Sequence, residues 1–204
     1  MPYLADLHVH SHYSRATSGD CRPGPLAAAA ARKGLTVIGT GDATHAGWRA
    51  ELRGALAEAE EGLYRLREAA GAAAETRFAV TGEISCIYKL DGKTRKIHHV
   101  FLLPSLAAAE RFSAALETRG ANLAADGRPI IGLDSRTLLS MLLEAEPRAM
   151  LIPAHIWTPH FSLFGALSGF DALEEAFGDL AGEIRAYETG LSSDPPMNWR
   201  LSAL

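Results

Sequence analysis

The sequence predicts an α/β protein built on a mainly parallel sheet with crossover helices, either open or closed into a barrel. Three observations lead there. Short apolar runs alternate with longer helical patterns along the 204 residues. The helical runs are rich in alanine, the strongest helix former. Residues able to do chemistry recur at the ends of the apolar runs, where parallel α/β folds gather their sites. In order, strands are expected at residues 3–9, 35–39, 78–81, 98–103, 150–153 and 184–187. Helices are expected at 25–33, 48–73, 105–119, 135–145 and 170–177. Asp134 is an N-cap candidate for the fourth helix. Gly34 and Gly120 follow basic last turns and read as C-caps. A hairpin interrupts the alternation around Asp91-Gly92, a dipeptide suited to tight β-turns. It holds Lys89, Lys93, Arg95 and Lys96, the densest basic cluster of the chain: a solvated surface, or an arm that contacts phosphates.

Composition narrows the function. Hydrophobic residues are 48% and charged residues 22%, an ordinary globular balance that argues against disorder. A chain of this length is one large domain or a small pair, and buries enough surface to fold without disulfides. The net charge of −4 excludes a uniformly basic nucleic-acid coat but leaves room for a local patch. Cys21 and Cys86 are too few for a secreted disulfide framework. There is neither an apolar stretch long enough to span a bilayer nor a basic start followed by an apolar run, so no membrane association is expected and the cytoplasm is the expected compartment. No strand is followed by a dinucleotide or P-loop glycine pattern, and Ser85 and Cys86 lack a nucleophile elbow.

The eight histidines carry the remaining signal: none falls inside a long expected helix. In Asp6-Leu7-His8-Val9-His10, strand alternation sends His8 and His10 to one face, where two imidazoles can chelate one metal or bridge two. The second strand exits through Gly39-Thr40-Gly41-Asp42-Ala43-Thr44-His45, presenting Asp42 and His45 to the same mouth; an N-cap role for Asp42 or Thr44 competes. Glu83 ends the third strand, and a carboxylate there suits a multinuclear site. His98 and His99 open the fourth, so alternation turns one inward and the other outward. His155 and Glu188 close the fifth and sixth. Recurrence at successive strand ends favours metal chemistry over core packing.

His8-Val9-His10-Ser11, with the second-strand acid, the third-strand glutamate and the later histidines, resembles the polymerase and histidinol phosphatase (PHP) superfamily. Within it, Gly39-Thr40-Gly41-Asp42, Pro153-Ala154-His155-Ile156-Trp157-Thr158-Pro159 and the segment from Glu188 to Trp199 resemble the endonuclease Q family. The resemblance spans essentially the whole chain. It implies a distorted (β/α)7 barrel, here lacking its last strand, as one domain over residues 1–204 that forms the N-terminal part of a longer protein. No final Asp-x-His pair follows Glu188, which such proteins usually supply. The implied activity is a metal-dependent DNA repair endonuclease, cutting the phosphodiester 5′ of deaminated bases (uracil, hypoxanthine) or abasic sites. The implied cofactors are two or three divalent ions of zinc, manganese or magnesium; the mixed imidazole and carboxylate set favours zinc or manganese. Ligation, and with it the catalytic centre, falls to His8, His10, Glu83 and His155. The second-strand ligand is Asp42 or His45; His99 is preferred to His98; Asp194 is either a ligand or a turn former. Damaged DNA is the implied partner, with a repair or replication protein as a further one. Arg15 is placed to clamp a phosphate, Trp157 and Phe161 to stack on an extruded base, and Lys93 and Arg95 to touch the backbone. Two other readings remain: a small-molecule phosphoesterase, and a domain that binds DNA or a partner without cutting.

Overall fold

The computed structural model describes residues 3–190 and 194–199. The fold is mixed α/β, and the chain divides into two compact units, Met1–Glu83 with Leu102–Pro129, and Ile84–Phe101 with Ile130–Leu204.

In the first unit, β1 (Ala5–Asp6) pairs in parallel with β2 (Val37–Gly39), which pairs in parallel with the start of β5 (Arg77–Leu90). The crossover between β1 and β2 is α1 (Pro23–Lys33), which begins two residues before the expected start. Proline costs a first turn nothing, because the N–H it lacks would have no partner there. Gly34 ends α1 at φ +72°, behind Arg32 and Lys33. The region expected as one helix over 48–73 is instead α2 (Ala46–Ala55), β3 (Leu56–Glu58), β4 (Leu63–Leu66) and a 3-10 turn at Gly71–Glu75. Leu56, Tyr64 and Leu66 are buried, and β4 extends the sheet antiparallel to β5 through Tyr64↔Phe78. Alanine's helical preference is worth less than about 1 kcal/mol per residue, and burial along a sheet edge overrides it. The last helix of this unit is α3 (Leu106–Thr118), capped by the Ser105 hydroxyl, which accepts from Ala108 N–H. Trp48, Leu52, Phe78, Phe112 and Leu116 are fully buried and form the core.

In the second unit, the end of β5 turns through Asp91-Gly92 into β6 (Lys93–Leu103). Both turn residues have positive φ, +51° and +75°, as the expected hairpin requires. β7 (Ile130–Ile131), a strand too short to stand out in the sequence, pairs in parallel with β5, and β8 (Met150–Pro153) pairs with β6. Asp134 caps α4 (Ser135–Ala145), as expected, by accepting from Thr137 N–H at 2.8 Å. α5 (Leu173–Phe177) is shorter than expected and runs into a 3-10 turn at Gly178–Glu183. The stretch 184–187, expected as a strand, has no strand pairing of its own; only Glu188, just beyond it, exchanges backbone hydrogen bonds with Pro153 and Ile156. α6 (Asp194–Asn198) is the last described element. Ile84, Ile97, Phe101, Leu138, Leu142 and Phe177 pack the core of this unit. No helix among the described residues is long and apolar enough to cross a membrane.

Candidate metal centre

The centre begins just past β1, where the backbone of residues 7–10 runs tightly beside residues 39–41. Gly41 permits this approach: it sits at φ +61°, and a Cβ there would collide with the Val9 carbonyl. The result brings His8, His10 and Glu83 together. Glu83 Oε2 lies 3.4 Å from His8 Nε2 and 3.2 Å from His10 Nε2, and Glu83 is almost fully buried. The two rings meet edge to face at 5.6 Å.

Asp42 stands behind His10. Its Oδ1 accepts from His10 Nδ1–H at 2.9 Å, while Oδ2 accepts from Ser11 N–H at 2.7 Å, the Ser11 hydroxyl at 2.6 Å and the Ser14 hydroxyl at 2.9 Å. The sequence offers Asp42 as a ligand; here both of its oxygens accept from protein donors, an arrangement that orients His10. A carboxylate on one ring nitrogen fixes the tautomer and raises the basicity of the other, the usual support for a metal-bound imidazole. Burial opposes charge on His10, but its hydrogen bonds to Asp42 and Glu83 outweigh that, and its pKa rises from 6.5 to about 9.

These three residues fit a metal. One donor atom from each lies within 4.8 Å of the others. Ligands on a tetrahedral ion with bonds of about 2.1 Å sit roughly 3.4 Å apart, close to the spacing of Glu83 from the two imidazoles. An ion binding at His10 must displace the proton held there.

His45, the other second-strand candidate, is not in this cluster. It caps α2: its Nδ1 accepts from Trp48 N–H at 3.3 Å, and its ring stacks on Tyr13 at 4.1 Å. Burial lowers its pKa, keeping the lone pair that the cap needs. His12 also lies apart, with Nε2 3.0 Å from Glu51.

The second unit gathers a second histidine pair. His98 packs against His155 at 5.3 Å and against Phe161 at 4.8 Å. His99, the residue preferred from the sequence, points the other way, to the Ser135 hydroxyl at 2.9 Å and the edge of Phe177. Alternation holds, with the opposite parity. The Thr158 hydroxyl has one proton, directed to the backbone with the His160 carbonyl at 2.8 Å and the His155 carbonyl at 3.2 Å, so it accepts from His155 Nδ1–H at 3.0 Å. His155 is left-handed at φ +31°, and its N–H donates to Glu188 Oε2 at 2.7 Å.

The residues expected to touch DNA fall in several settings. Arg15 is 83% exposed, with Nε 3.4 Å from Asp126 Oδ2. Trp157 donates from Nε1 to Asn198 at 2.7 Å and packs on Phe164. Phe161 lies between His98 and the Lys96 ammonium. Lys93 is exposed, but Arg95 is not a free surface cation: its guanidinium lies 4.1 Å above Phe170 and donates to the Gly169 carbonyl. Asp194, the first residue of α6, is buried and accepts from Gly190 N–H at 2.9 Å. Leu191, Ser192 and Ser193, part of the distinctive C-terminal segment, lie outside the described residues.

Sequence reasoning missed Arg128, whose Nη1 lies 3.4 Å from Glu83 Oε2. It also missed the support that Ser11 and Ser14 give to Asp42. Only Ser11, the residue after the His-x-His step, carried a local signal.

The chain adopts an endonuclease Q-like fold. It is similar to the crystal structure of a lesion-specific endonuclease Q from Pyrococcus furiosus, with a TM-score of 0.78 and 30% identity over 95% of this chain and 43% of that one. A second endonuclease Q structure, a complex with a 27-mer duplex bearing an abasic lesion at the active site, gives a TM-score of 0.81 and 30% identity over 98% of this chain and 45% of that one. An uncharacterized protein of Methanocaldococcus jannaschii is 29% identical over 154 residues, 76% of this chain and 16% of the relative. The chain thus spans less than half the length of the solved structures it matches. No family model matches it.

Proposed function

We propose that this chain is a metal-dependent, lesion-directed DNA endonuclease with a PHP-type centre, hydrolysing the phosphodiester 5′ of uracil, hypoxanthine or an abasic site. The observation that carries the reading is the His8, His10 and Glu83 triangle with Asp42 behind it. The likeness to an endonuclease Q bound to lesion-bearing duplex supports DNA as the substrate. His8, His10 and Glu83 would hold a divalent ion; His98 and His155, packed ring against ring in the second unit, are imidazoles of the kind that ligate such ions. When bound, such ions supply Lewis acidity toward a phosphoryl group and acidify water. The protein's own part is positional. Asp42 keeps His10 in one tautomer, and the Thr158 hydroxyl does the same for His155. Trp157 and Phe161 offer aromatic faces for an extruded base or an abasic gap.

The test is a labelled duplex carrying one deoxyuridine, deoxyinosine or abasic site, incubated with Mn²⁺, Mg²⁺ or Zn²⁺. The expected product is a nick immediately 5′ of the lesion that is absent from the His10→Ala variant. Turnover of p-nitrophenyl phosphate without any lesion-dependent nick would instead make the protein a small-molecule phosphoesterase.

A further inference from the structure

Arg128 meets the buried carboxylate of Glu83 from a segment rigidly tied to the floor of the centre. Its backbone N–H donates to Asp126 Oδ1 at 3.1 Å. The preceding residue, Gly127, donates to the Tyr13 carbonyl at 3.0 Å, and a Cβ on it would collide with the Asp42 carboxylate and the Ser14 hydroxyl. Asp126 also takes Arg15, through its backbone N–H and its guanidinium, each at 3.4 Å. One turn therefore seats two guanidinium groups and packs against the support of His10. The Arg128 side chain itself is loosely held. It is 39% exposed, and its ion pair with Glu83, which is 1% exposed, is long at 3.4 Å.

Resting on the metal-centre reading above, we infer that Arg128 is a substrate-phosphate ligand that alternates between two anions. Without metal, its guanidinium neutralises Glu83; with a divalent ion on Glu83, it turns to a non-bridging phosphoryl oxygen. Two cations on one carboxylate repel each other. A metal therefore weakens the hold of Glu83 on Arg128 while the fixed backbone keeps the guanidinium at the mouth. Guanidinium presents a planar fork of donors matched to phosphate, and Asp126 keeps Arg15 near as a second one.

Alternation makes a prediction that a structural role does not: removing Arg128 moves two affinities in opposite directions. The experiment measures Mn²⁺ affinity by competition with a fluorescent chelator, then inorganic phosphate binding to the Mn²⁺-loaded chain by calorimetry. It uses the full chain as wild type, Arg128→Met and Arg128→Lys. Arg128→Met is expected to bind Mn²⁺ about threefold more tightly, having lost a competing, long ion pair to Glu83. It is expected to bind phosphate at least about tenfold more weakly, having lost a charge-assisted donor pair. Arg128→Lys should fall between wild type and Arg128→Met on both scales. Affinities that fall together, or phosphate binding that does not change, overturn the inference while leaving the metal reading intact. Failure of the wild type to take up Mn²⁺ overturns the metal reading itself, and the role of Arg128 with it.

Discussion

His45 holds the start of α2 through a lone pair, and a proton destroys that lone pair. Its Nδ1 accepts from Trp48 N–H, so the cap exists only for the neutral ring. Burial depresses the His45 pKa below its unfolded value of 6.5. The contribution is therefore complete above pH 6.5 and is lost as pH falls through the folded pKa, because the unfolded chain takes up the proton first. Asparagine caps without titrating. Between about pH 7.5 and 5.5, the melting temperature of His45→Asn is expected to fall less than that of the wild type; parallel pH profiles would remove His45 from the acid response. The same residue shows what the sequence revealed about the site. The His-x-His step and Glu83 were legible as residue types able to share a metal, although His8 and His10 lie just past β1 and Glu83 lies within β5 rather than at a strand end. The choice between Asp42 and His45, and between His98 and His99, was not. Those depend on which oxygens the neighbouring serines claim and on which face of β6 turns toward His155. Arg128 left no trace in the sequence, since its role comes from a loop that folds back onto Asp42.

At the scale of elements, two glycines separate local chemistry from tertiary demand. Gly92 lies at φ +75° in the β5–β6 turn, and a Cβ there would meet nothing. The cost of Gly92→Ala is then conformational alone, about 1 kcal/mol of destabilisation. Gly54 lies near the end of α2, also in open space but without positive φ. There the same change is expected to stabilise by about 0.5–1 kcal/mol. Urea midpoints that shift in opposite directions at unchanged slope would bear this out; a shift of the same sign at both sites would refute the assigned backbone conformations. The contrast also explains why the hairpin was legible and the helix expected over 48–73 was not. Asp91-Gly92 dictates its turn through its own backbone preferences. The run after Ala55 is rich in helix formers apart from Gly62 and Gly71, and it becomes a pair of strands because the edge of β5 offers hydrogen bonds and a buried face for Tyr64 and Leu66. Only the assembled sheet supplies that edge.

For the molecule as a whole, charge sets how it would meet DNA under the proposed function. The chain carries 20 lysines and arginines against 24 aspartates and glutamates. Several of the cations are already engaged: Arg22 with Glu51, Arg53 with Glu110, Arg77 with Glu60, Arg136 with Asp179, and Arg95 over Phe170. Arg15 and Arg128 remain beside the candidate centre, and Lys89 and Lys93 are exposed at the hairpin. Each phosphate neutralised on a duplex contributes about −0.9 to the slope of log affinity against log salt. Under the proposed function, binding through all four groups would give a slope of about −4. Replacing Lys89 and Lys93 with alanine tests the hairpin by itself, since both side chains are exposed. The slope, read by fluorescence anisotropy on an abasic duplex, is expected to drop to about −2 in that double variant. A slope unchanged from the wild type would make the hairpin a solvated surface and leave Arg15 and Arg128 as the cations that meet the backbone.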